Sequence, residues 1–178
     1  SSLGFFRRVD IREVGHSTGY FWRPEGNIVQ GFGPGITGSV NYNRQGRLRD
    51  SSIRPNFRVN MTRSTRLFLW VQKTFELFNN IEFRKHEGGV DFRSRWLEWF
   101  EVNGQLKGGT SINYRPGPDL NPFLGRGMQG KMGIILRPSP HLRIEKTYIY
   151  SGLRTYNGSE LSGIARGSVV FDNHIVRS

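Results

Sequence analysis

The chain has 178 residues, enough for one domain, and no cysteine, which excludes disulfide staples and thiolate metal sites. Its formal charge of +12, with arginine supplying 21 of the 26 basic residues, points to nucleic acid, an anionic lipid surface or an acidic partner without choosing among them. Twenty-three glycines, 13% aromatics and a single alanine, Ala165, favour strands and turns over helices, and no apolar run approaches the roughly 18 residues of a spanning helix.

In chain order, residues Phe5 to Trp22 read as one long or bulged strand, with the slip at Gly15 or Gly19. Arg23-Pro24-Glu25-Gly26 makes a turn. Ile28, Phe32, Ile36, Val40 and Tyr42 then share a parity, and Pro34 is expected to mark a bulge or an unpaired edge. Asn43-Arg44-Gln45-Gly46 is a hairpin signal. In the next strand Ile53, Pro55, Phe57, Val59 and Met61 face one way, while Arg54, Asn56, Arg58 and Asn60 face the other.

A turn around Arg63-Ser64-Thr65 leads into a strand from Arg66 to Phe78 that is apolar on both faces near its start, so a cover is expected on each. Asn79-Asn80 opens a connection ending near Gly88-Gly89, after which Val90 to Trp96 is a strand and Leu97-Glu98-Trp99 a tight turn. The clearest stretch of all follows. From Phe100 to Tyr114 the positions Phe100, Val102, Leu106 and Ile112 fall on one parity, against Glu101, Asn103, Gln105 and Lys107 on the other. A polar loop from Arg115 to Gly127, a hairpin of Met128 to Arg137 with Leu142 to Leu153, a loop near Arg154 to Gly163 and a strand from Ile164 to Phe171 complete the reading. His174 to Ser178 reads as the start of a further strand.

The expected fold is all-β: a single antiparallel meander of about 8 to 10 long strands over residues 1–178, outer-membrane-barrel-like or an open curved sheet. A soluble sandwich has the same alternation. Strand length and aromatics near strand ends, Trp22, Tyr42, Trp96, Trp99 and Tyr114, favour the barrel plan with those rings at the membrane interface. Phe32, Ile36, Phe57 and Val59, with Val102, Leu106 and Ile112, are the candidate membrane- or partner-facing positions. Arg54, Asn56, Arg58, Asn60 and Lys107 are the candidate polar docking or lumen face.

Five segments resemble, in order, the C-terminal domain of a family of bacterial envelope proteins that pair an N-terminal family 9 carbohydrate-binding-like domain with a membrane-type β-barrel. They are GFFRRVD at Gly4 to Asp10, NRQGRLRD at Asn43 to Asp50, INYRPGPDLNPFLG at Ile112 to Gly125, LRPSPHLRIEKTYIYSGL at Leu136 to Leu153, and FDNHIVRS at Phe171 to Ser178. The resemblance implies a barrel fold and an outer-membrane address, and the chain is then expected to be a fragment or processed part of a larger barrel-type protein.

No catalytic constellation stands out. His16, His86, His141 and His174 lie apart without metal-ligand spacing, so no metal or other cofactor is expected. Glu98 and Glu101 flank a turn and read as surface charge, and the glycine runs at Gly31 to Gly35 and Gly125 to Gly130 precede no helix, as a phosphate loop would. The expected function is a non-enzymatic cell-envelope protein acting in docking, scaffolding or passive passage, with membrane lipids or subunits of a membrane complex as partners rather than nucleic acid or a small-molecule substrate. The alternative is an accessory structural subunit on the periplasmic face of an inner-membrane complex, for example an energy-converting or photosynthetic one.

Overall fold

A computed structural model of the chain describes residues 11–114, 121–155 and 169–177. Within them lie nine strands: β1 (Ile11–Gly19), β2 (Val29–Asn43), β3 (Leu48–Met61), β4 (Thr65–Phe78), β5 (Ile81–Leu97), β6 (Phe100–Asn113), β7 (Phe123–Ser139), β8 (Leu142–Thr155) and β9 (Val169–Arg177). They form one antiparallel sheet in sequence order, so β1 and β9 are its edges.

The meander follows from turn chemistry. At Asn43 the side-chain Oδ1 accepts from the Arg47 amide at 2.8 Å, the carbonyl accepts from the Gly46 amide, and Gly46 takes the positive φ of 75° that the corner requires. Asn79 and Asn80 sit at φ 50° and 63°, the two left-handed residues of the hairpin turn whose twist matches that of the strands. Arg63 and Ser64 adopt the same region at φ 55° and 52°, and Arg63 is pinned there by a bond to the Trp96 carbonyl at 3.4 Å.

Several expectations change. Residues 81–89 are no connection but the first half of β5, because the Asn79-Asn80 turn needs no further residues to reverse the chain. The turn-like Gly88-Gly89 pair lies mid-strand, opposite Val71 and Trp70. Pro34 pairs in register with Phe57; the irregularities of this ladder fall between Val29 and Gly31 and between Asn41 and Tyr42. Gly15 and Gly19 both pair in register, and the ladder ends at Gly19 before resuming as a lone bridge from Trp22 to Phe32. β7 begins at Phe123, taking the end of the expected polar loop. His174 opens no new strand but continues β9. Phe5 to Asp10, Arg115 to Leu120 of the expected polar loop, Tyr156 to Gly163 of the last loop, and Ile164 to Ser168 lie outside the described residues.

Directly paired residues in an antiparallel sheet point to the same side, so the registers carry each face across the whole molecule. Asn56 faces with Gly35 and Trp70, Trp70 with Gly89, Gly89 with Lys107, and Lys107 with Gln129. This is the polar face. The other carries Phe57 with Leu69, Leu69 with Val90, and Val90 with Leu106.

Among the described residues, six of the seven buried side chains, Trp70, Phe83, Glu101, Ile135, Leu153 and Thr155, lie on the polar face, and only Ile112 on the other. Each strand packs substantially only on its sequence neighbours, so no second sheet covers that face among the described residues. A single layer buries one face more than the other by curling toward it. The sheet is therefore an open curve, polar inside and apolar outside, and not a sandwich.

Candidate functional site

On the inner face, Trp70 organises the polar row. It is 7% exposed, and its indole Nε1 donates to Asp91 Oδ2 at 3.2 Å. Gly89 makes the room, since a Cβ there would come within 2.6 Å of the indole ring. The Arg54 guanidinium lies 4.3 Å from the Trp70 ring centre and 5.8 Å from that of Phe68, and Arg58 is also 5.8 Å from Phe68. The cover expected on this face of β4 is thus arginine stacked on aromatic, an arrangement the π-face quadrupole favours. The opposite face of β4 has no such cover: Leu69 and Val71 are exposed.

Arg54, Asn56, Arg58 and Asn60 share the inner face, and the register brings Lys107 into the Asn56 row. Asn56 donates to the Arg54 carbonyl at 3.4 Å. Asn41 Oδ1, Arg54 Nε and Asn60 Oδ1 are buried there with no hydrogen-bond partner among the described residues.

At the rim formed by the turns at residues 62–64, 98–99 and 140–141, which we term the upper rim, one carboxylate gathers three arginines. Glu101 is 2% exposed and pairs with Arg93 at 2.7 Å, Arg137 at 3.4 Å and Arg95 at 3.6 Å. It is not the surface charge expected from its place beside a turn. Its parity puts it on the inside of the curve, where only ion pairing makes burial tolerable. Below it, Arg66 stands directly opposite Arg93.

The lower rim has a different device. The Tyr114 hydroxyl lies 2.8 and 3.0 Å from the Glu76 carboxylate, which also pairs with Lys85 at 2.7 Å. Burial and the hydrogen bond to Glu76 raise the Tyr114 phenol well above its ordinary value.

The outer face carries Phe32, Ile36, Phe57, Val59, Val102, Leu106 and Ile112 together, all as expected of one parity. From Phe100 to Gly108 in β6 and from Met128 to Leu136 in β7 it bears no charge at all, and the two spans are in register. In β8 the corresponding span, Leu142 to Gly152, is broken only by Lys146, and in β5 the exception is Ser94. The lower limit of this band is a basic row. Lys73 pairs with His86, the His86 backbone amide bonds the Thr110 hydroxyl, Thr110 pairs with Arg126, and Arg126 with Arg154. Trp22, Trp96 and Trp99 lie toward the upper rim and Tyr42 and Tyr114 toward the lower.

The Glu101 cluster and the basic row were not legible as groups in the sequence. The signal existed only in parity: Arg93, Arg95 and Glu101 are odd-numbered and near one turn. Among the described residues no three His, Asp or Glu side chains converge as a metal cradle. No family model, curated protein or solved structure matches the chain.

Proposed function

We propose that this chain is a non-enzymatic cell-envelope protein of the outer-membrane barrel type, acting through its two faces in docking, scaffolding or passive passage. The observation that carries this reading is the inverted sidedness of the sheet: the bare outer face carries the apolar band centred on β6 and β7, and the sheltered inner face is charged. A soluble domain puts its apolar side chains inside. Lipid-facing strands do the reverse, with an apolar outer band about 25 Å tall and a polar interior. Nine residues, the length of the uncharged spans in β6 and β7, match the roughly 9 to 11 residues with which a tilted strand crosses a bilayer. The basic row at one limit of the band suits the phosphate level of a bilayer, and tryptophans toward the other suit its interface.

β1 and β9 each have one edge without a strand partner among the described residues, which favours a second reading, an accessory subunit whose sheet is completed by a partner in an inner-membrane complex. Separating the membranes of the native host on a density gradient decides between them. Recovery in the outer membrane, in a heat-modifiable polypeptide, supports the barrel. Recovery with the inner membrane at fixed stoichiometry to other subunits supports the second reading, and recovery in the soluble fraction overturns both.

A further inference from the structure

We infer that the inner face carries, just below the upper rim, a binding site for a small phosphate-bearing solute, centred on Arg66, Arg93 and Arg95. This goes beyond the envelope role, and it holds whether lipid or protein covers the outer face. A recess of about 410 Å³ opens there, lined by the three arginines together with Asn60, Ser64 and Thr65 among others. That volume lies within the range of small-molecule sites, roughly 300–1,000 Å³.

The charge balance points to an anion. Arg66 and Arg93 are directly opposed across the β4–β5 ladder, and like charges so placed repel. Arg93 and Arg95 already share Glu101 with Arg137, so one carboxylate serves three guanidiniums. Arg66 makes no ion pair among the described residues. The nearest other inner-face carboxylate, Asp91, accepts from Trp70. Arg63 is drawn off to the Trp96 ring, 4.6 Å away. Arg66, Arg93, Arg95 and Arg137 against Glu101 and Asp91 leave an excess of two positive charges around the recess, which the first three of these arginines line. Arginine forks match the oxygens of a phosphate, and Asn60 and Ser64 also line the recess. A lipid headgroup approaches from the outer face; a solute on the inner face reaches these groups directly.

The test is calorimetric titration of the full chain, purified in mild detergent at low salt, with inorganic pyrophosphate. Saturable binding at one site is expected, with R66Q weakening it about tenfold and R66K less. R143Q, which alters an exposed arginine paired with Glu145 on another strand, should leave it unchanged. R66Q relieves a like-charge opposition, so its thermal transition should equal or exceed that of the parent, which keeps unfolding from imitating lost binding. A titration without saturation, or equal weakening by R66Q and R143Q, would mean attraction to the overall positive charge and would overturn the assignment.

Discussion

Arg54 lays its guanidinium 4.3 Å from the centre of the Trp70 ring, from the neighbouring strand and one residue pair beyond the directly opposed Asn56. The contact ties the most buried indole of the sheet to the arginine row that lines it. Replacing Arg54 with Ala should cost about 1–2 kcal/mol of stability, and Arg58→Ala, whose nearest ring is 5.8 Å away, about 0.5 kcal/mol. Denaturant unfolding of the two variants in the same detergent compares them. Equal costs would show that the ring distance is not what matters.

Gly89→Val tests the same centre from the other side. A side chain at residue 89 meets the indole and must displace it, breaking the bond to Asp91 and the stack on Arg54 together. A loss of about 2–3 kcal/mol is expected, as for overpacking elsewhere. A Trp70 emission spectrum that did not shift to the red would show that the indole had stayed in place.

Glu101→Gln removes the one carboxylate among Arg93, Arg95 and Arg137 while keeping its size. The buried member of this group is the acid, whereas Arg93 and Arg95 reach solvent, which screens part of the effect. The expected loss is about 2 kcal/mol, below that of a fully buried pair. Thermal unfolding measures it, and pyrophosphate should bind the variant more tightly because the competing carboxylate is gone.

Leu106 lies in the middle of the uncharged outer span of β6, and Gln105 beside it points inward. If the band meets lipid, Leu106→Lys should cost about 2–4 kcal/mol of insertion free energy, while Gln105→Lys should cost little. Folding into bilayers of defined thickness, followed by urea titration, compares the two. Equal tolerance of both would argue against lipid on the outer face.

Tyr114 titrates above the ordinary tyrosine value because burial and Glu76 disfavour the phenolate. A proton held more tightly in the folded state contributes stability in full below the ordinary tyrosine value, and that contribution is lost as pH rises through the higher folded one. Ultraviolet titration should place one tyrosine above the rest, and Glu76→Gln should bring it down. A Tyr114→Phe chain with an unchanged titration curve would show that the late tyrosine is another.

The alternation from Phe100 to Tyr114 determined, without help, that this chain is built of long two-faced strands, and the parities of Arg54 to Asn60 and of Phe57 and Val59 determined which residues share a side. Period-two patterning is a local property, so a sequence records it. Asn79-Asn80 also specified its turn, but the mixed polarity of Ile81 to Gly89 concealed the strand behind it. Phe83 belongs to the inside of the curve, where apolar groups are scarce, while Arg84 and His86 stand on the outside near the limit of the apolar band.

Which face is sheltered was decided only by the tertiary structure. Alternation defines two faces but not the direction in which a sheet curls, and that direction is what buries Glu101 at 2% exposure and leaves Leu106 bare. The groupings that carry function, Arg54 on Trp70, three arginines on Glu101, Arg66 against Arg93, and the row from Lys73 to Arg154, all join different strands. They depend on strand order and register, which arise from many ladder pairs at once and have no counterpart in any one segment of the sequence.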